Sequence, residues 1–168
     1  MRKLIVLFVV MMTAVSLSSC QKAIEKARRN IRVEAVEQVE VHALSGVDIT
    51  LRVMNNTGHR LSLHTAELKL FYDSNYVGNA VLREAVEVPK RATTSITTRW
   101  KVKISDPIAL YLMSKKINQG DISLLAVSFD LTGKGGPAPI TISQQMIPLS
   151  DFLRIFGVSI EEVKNRFK

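Results

Sequence analysis

The single thiol in this chain of 168 residues is Cys20, and one cysteine excludes a disulfide framework. Histidine is nearly as sparse, with only His42, His59 and His64. His59 and His64 can approach each other across a bend. No cluster of acidic or thiol side chains has metal-ligand spacing, however, so exposed strand and turn histidines are expected and no metal. Gly133-Lys134-Gly135-Gly136 has the glycine and lysine of a phosphate-binding loop but not its order, its following Ser/Thr or its helix; it reads as a hairpin loop. Asp48, Asp73, Asp106 and Asp130 fall at strand or turn positions with no partner for acid/base work. No serine has a nucleophile-elbow context. These residues point away from an enzyme, and they imply no cofactor.

The residues before Cys20 give its thiol a different chemistry. Arg2 and Lys3 precede the apolar run Leu4–Met12, which fades through Thr13–Leu17. That is the layout of a secretory signal, and the run is shorter than the roughly 20 residues that span a bilayer. Leu17-Ser18-Ser19-Cys20 then resembles the bacterial lipobox, in which a branched apolar residue and two small ones precede a cysteine whose sulfur carries diacylglycerol. The expectation is a signal over residues 1–19, cleaved, and a chain lipidated at Cys20 and acylated at its new amino terminus. A chance cysteine behind an ordinary signal, or an uncleaved anchor, is the competing reading. One acyl chain anchors only marginally, with an association constant of about 10⁴ M⁻¹, so several chains imply stable attachment.

Cleavage would remove two basic residues and no acidic one, leaving 149 residues and lowering the formal net charge from +8 to +6. That length suits one domain with a real core. For an exported chain, the polyanions within reach are lipid head groups and envelope polysaccharides rather than nucleic acid. Residues 20–30 lack the Gly, Ser and Pro of a flexible linker and read as a short helical stalk. Its Lys22, Lys26, Arg28 and Arg29 would lie near the bilayer. Gln21, not Asp, follows the cysteine. By resemblance to lipoprotein sorting rules, this implies the cell envelope, on the outer membrane facing the periplasm if the source has two membranes.

From Ile31 the apolar period becomes two, the mark of half-buried strands. The alternation in Ile31–Ala43 breaks at Val36-Glu37, which predicts a bulge or a break. Val47, Ile49, Leu51 and Val53 give a strand ending near Asn55. In the next segment parity switches between Leu63 and Ala66, which predicts an irregularity at His64-Thr65. Asp73-Ser74-Asn75 turns the chain into a weaker strand over Tyr76–Val81. After Pro89-Lys90-Arg91, Ile96, Trp100, Val102 and Ile104 share one face, which places Trp100 in the core; Arg99, Lys101 and Lys103 share the other. Strands over Ile122–Leu131 and Pro139–Ile147 flank a loop at Thr132–Gly136. About seven strands in all predict an immunoglobulin- or fibronectin-like antiparallel sandwich over residues 31–148.

Asp106-Pro107 opens an inserted helix, with an acidic cap and proline at the first helical position, and Gly120 stops it. Residues 149–168 read as a helical segment. Ser150–Phe156 forms a turn, and a capping box at Ser159-Ile160-Glu161-Glu162 opens a last helix whose Ile160, Val163 and Phe167 share a face.

Residues 31–148 resemble the late embryogenesis abundant type 2 domain, also called the water stress and hypersensitive response domain. The likeness rests on Val47-Asp48-Ile49-Thr50-Leu51-Arg52-Val53-Met54-Asn55-Asn56, on Leu61-Ser62-Leu63 and on Leu68-Lys69-Leu70-Phe71-Tyr72-Asp73. Tyr76-Val77-Gly78 and Val88-Pro89-Lys90-Arg91-Ala92-Thr93-Thr94 continue it. The family's usual Asn-Pro-Asn turn is Asn55-Asn56-Thr57 here. The resemblance implies a sandwich with a helix, brings no catalytic residues and implies a stress-protective role.

Two functions then stand open. In one, a non-catalytic envelope lipoprotein binds an envelope protein or an anionic lipid or polysaccharide through Arg99, Lys101 and Lys103, joined by Lys90 and Arg91. In the other, the sandwich carries a lipid or other apolar ligand between its layers, which a continuous apolar cavity of about 300 Å³ or more would favour.

Overall fold

A computed structural model describes residues 29–42, 46–137, 139–156, 159 and 161. Cys20, most of the stalk and the helix expected near the carboxyl terminus lie outside these residues. Of the stalk, Arg29 and Asn30 are described, and both are helical.

Eight antiparallel strands follow: β1 (Ile31–His42), β2 (Gly46–Asn55), β3 (Leu61–Tyr72), β4 (Asn75–Leu82), β5 (Val86–Val88), β6 (Ala92–Ile104), β7 (Leu125–Gly135) and β8 (Pro139–Pro148). Helix α1 (Pro107–Gln119) joins β6 to β7, and α2 (Leu149–Phe156) follows β8. The strand order is β1-β2-β6-β4-β3-β7-β8, with β5 beside the start of β3. The fold is the expected all-β, sandwich-like one with an inserted helix and a helical segment after the last strand. The three-residue β5 raises the expected strand count.

Strand β6 couples the two halves of the molecule. Ala92–Lys101 pair with β2, and Trp100–Ile104 pair with β4. Burial follows the alternation. Val53, Ala66, Leu82, Val88, Val127 and Phe129 form the core, with Thr98 buried among them and its hydroxyl donating to the Ile49 carbonyl at 3.0 Å. The predicted irregularities are register shifts, one between Val36 and Gln38 within a continuous β1 and one between Leu63 and Thr65 in β3.

Three expectations need correction. The glycine-rich loop at Thr132–Gly136 is mostly strand, because β7 runs to Gly135 and pairs with β3 and β8 throughout. Gly133 serves close approach: a Cβ there would collide with the Ser62 carbonyl oxygen, so β3 and β7 can lie side by side only without a side chain. The segment at Ile122 begins as a turn, and β7 starts at Leu125. Trp100 lies on the inward face but is half-buried, its indole N–H donating to the Thr98 hydroxyl at 2.9 Å.

Helix α1 is built as its ends predict. The Asp106 carboxylate accepts from the Ala109 N–H at 2.9 Å, Pro107 fills the first turn, and Gly120 at φ 82° closes the helix in the left-handed region. At the β3–β4 hairpin Asp73 and Ser74 both have positive φ, 47° and 65°. Two such residues make the turn whose twist matches the strands, usually at the cost of requiring glycine or asparagine.

Candidate functional site

Apolar side chains of β3, β4, β6 and β7 run on past the packed core to the end of the sheet where α1 and α2 lie. Between sheet and helices they leave a cleft of about 270 Å³, open on one side. Leu68 and Leu70 of β3 and Val102 and Ile104 of β6 form its floor, with Leu110 of α1 and Phe152 of α2 opposite. Its lining is almost wholly apolar. Phe152 is itself positioned by an edge-on contact with Phe129, ring centroids 5.6 Å apart. The volume sits just below the 300–1,000 Å³ of ordinary ligand pockets. Such a site can hold hydrocarbon; Lys69 and Asn79 are the polar residues along its lining.

The same end of the molecule exposes further apolar surface. Ile108, Tyr111 and Leu112 of α1 face solvent, as do Val39 and Val41 of β1. Ala109 and Met113 turn the other side of α1 into the protein. No helix among the described residues is long and apolar enough to cross a membrane.

The basic residues singled out in the sequence divide into three groups. Arg99, Lys101 and Lys103 are all exposed on one face of β6, as the alternation requires. Arg99 is engaged, with Nη1 2.9 Å from Glu84 Oε1 and Nε 3.8 Å from Asp48 Oδ2. No ion pair involves Lys101 or Lys103 among the described residues, so the open positive charge of the stripe is theirs. Lys90 and Arg91 are exposed too, but they precede Ala92 at the far end of β6. Twelve residues of strand, about 40 Å, separate Arg91 from Lys103, and the outward residues between Arg91 and Arg99, Thr93, Ser95 and Thr97, are uncharged. Lys90 and Arg91 therefore do not join the stripe.

Of the histidines, His64 shares a 3.0 Å hydrogen bond with the Ser62 hydroxyl, and the His59 ring lies against Gly136. His42 has carboxylate neighbours instead, Asp48 and Glu40. Among the described residues, two carboxyls are held below their usual range. Asp121, beyond the end of α1, is lowered to about 2 by hydrogen bonds from the Ser123 hydroxyl and Ser123 N–H and by Lys116. Glu37 is lowered by the Ser95 hydroxyl and by Arg52, whose Nε is 2.8 Å from Glu37 Oε1.

The cleft was not legible in sequence, because its walls come from four strands and two helices brought together only by the fold. Its one signal was an apolar alternation that continues to Val102 and Ile104 at the end of β6, beyond the reach of β2.

No family model matches the chain, nor does any curated protein. Among solved structures it is similar to a protein from Archaeoglobus fulgidus, with 12% identity over 68% of this chain and 99% of that one and a TM-score of 0.40. A likeness at that level carries no functional argument.

Proposed function

We propose that this chain is a membrane-tethered, non-catalytic envelope lipoprotein whose sandwich holds an apolar ligand, an acyl chain or a molecule of similar shape, in the cleft between the sheet and α1/α2. The cleft carries this reading. Its walls are apolar, it is open to an entering ligand, and α1 borders it with exposed apolar side chains. The tether belongs to the proposal through the signal-like segment and Leu17-Ser18-Ser19-Cys20. A protein of the late embryogenesis abundant type 2 kind, with the stress-protective role that resemblance implies, is compatible with it.

The test is a titration of the purified chain with a fluorescent C12 fatty acid. Saturable binding is expected, and Leu110→Trp, which fills the cleft, should abolish it while leaving the circular dichroism unchanged. A parent protein that takes up no fatty acid, or a filled variant that binds as well as the parent, would remove the cleft from the function. The tether is tested separately by Cys20→Ala, which should release the protein from membranes into the soluble fraction.

A second reading rests on Lys101 and Lys103, whose charges have no ion-pair partner among the described residues. Here the domain binds an envelope protein or an anionic lipid or polysaccharide through the outward face of β6. Replacing both by Glu should then weaken retention on anionic vesicles or lipopolysaccharide, most clearly at low salt, where screening is least. Equal retention of parent and variant across a salt series would leave the stripe a solvated face.

A further inference from the structure

Glu40, His42 and Asp48 converge on the outward face of the β1–β2 hairpin, where neither the cleft nor the lysine stripe uses them. Glu40 and His42 are two residues apart on β1 and so project from the same face. Asp48 lies directly opposite Glu40 in the β1–β2 register, and His42 lies opposite Gly46, which adds no side chain of its own; the Arg83 guanidinium reaches over that glycine, its Nη2 3.6 Å from where a Cβ would stand. The backbone pairing alone therefore delivers one nitrogen and two carboxylates to one spot. His42 Nε2 is 3.2 Å from Asp48 Oδ2 and 3.9 Å from Glu40 Oε2, and one donor atom from each residue lies within 4.8 Å of the other two.

Around a tetrahedral Zn²⁺ with bonds of about 2.0–2.2 Å, neighbouring donors stand roughly 3.3–3.6 Å apart. The two distances from His42 lie within about half an ångström of that spacing and the two carboxylates stand at most 4.8 Å apart, shifts that exposed side chains can make by small rotations. Gln38 donates to Glu40 Oε1 at 2.5 Å, which leaves Oε2 turned toward His42. We infer that Glu40, His42 and Asp48 form a divalent-cation site of the zinc class, with imidazole nitrogen and two carboxylate oxygens as protein ligands and water completing the shell. Arg99 is its internal competitor. Its Nε approaches Asp48 while its Nη1 is held by Glu84, so a bound ion must share Asp48 with a guanidinium. The ion would also clamp edge strand β1 to β2 at the end where His42 pairs with Gly46.

The experiment is calorimetric titration of the tag-free, chelator-stripped chain with Zn²⁺. One ion per chain is expected, with affinity at least tenfold weaker in His42→Ala and in Asp48→Asn. Arg99→Gln should bind several-fold more tightly, because the competing cation is gone. His59→Ala and His64→Ala should bind as the parent does. In the parent, the ring resonances of His42, and not those of His59 or His64, should shift as Zn²⁺ is added, a readout that does not depend on any variant folding. No saturable uptake, affinity unchanged in His42→Ala, or ring shifts at His59 or His64 instead would overturn the site.

Discussion

The two ends of the sandwich solve opposite problems. Where the chain enters β1, Asn55 is wholly buried, and its side chain ties three segments together. Its amide nitrogen donates to the His59 and Pro89 carbonyls at 3.0 and 2.8 Å, and its Oδ1 accepts from the Thr57 N–H and hydroxyl at 3.0 and 2.6 Å. Beside it the Asn56 N–H donates to the Asn30 carbonyl at 2.8 Å. At the other end, near α1, apolar walls enclose unfilled volume and polar contacts gather at the surface. A buried polar side chain with every group satisfied fixes one geometry, whereas an apolar cleft constrains little beyond shape. One end specifies the fold, and the other is left adaptable.

Asn55→Ala should break the comparison at its rigid end. It strands several buried donors and acceptors at once, so a loss of about 3–5 kcal/mol is expected, read from urea melts. A loss under 1 kcal/mol would mean that the turn is held by something other than this side chain. Between the two ends stands Trp100, which the alternation alone places in the core. Because it is only half-buried, Trp100→Ala should cost about 2 kcal/mol, less than the 3–5 of a fully enclosed aromatic. A loss as large as that of Asn55→Ala would show Trp100 to be as fully enclosed as the side chains at the rigid end.

At the cleft end the β3–β4 hairpin carries strain, with Ser74 in the left-handed region. Ser74→Gly should stabilise the domain by about 1 kcal/mol, measured as a raised urea midpoint. A lowered midpoint would exclude left-handed strain at this turn. The smallest effect concerns Asp121. Its carboxyl is depressed from 3.8 to about 2, so what its pairing contributes is present above about pH 4 and is lost as the pH falls toward 2. Melts of Asp121→Asn and the parent should differ above pH 4 and converge near pH 2. Curves that stay apart at pH 2 would assign the difference to something other than this ionisation.

Sequence patterning carried the fold further than the site. Alternation located most strands because each has one face inward. The parity breaks at Val36-Glu37 and His64-Thr65 marked true register shifts because a shift reverses every following side chain. Composition misled at Gly133, where glycine serves close strand contact rather than a turn. It also undervalued Tyr76–Val81, which contains Val77, one of the most buried side chains. The reach of Lys90 and Arg91 toward Lys103 could not be judged before the length of β6 was known. Likewise, Glu40 and Asp48 stand eight residues apart in sequence and face each other only once the β1–β2 register is set.

The path of β1 has a mechanical meaning. Its first residue pairs with Asn55, its last with Gly46, and the strand lies at the edge of the sheet along the full length of β2. A membrane tether pulling at Ile31 along the strand axis would load these rungs in parallel, as shear, rather than peel them one at a time. The Asn30–Asn56 bond and the Asn55 clamp stand where that force arrives. The cleft begins toward the opposite end of β6, at Val102, about 33 Å from Ala92, so such tension would be borne by the β1–β2 ladder before it could reach the cleft.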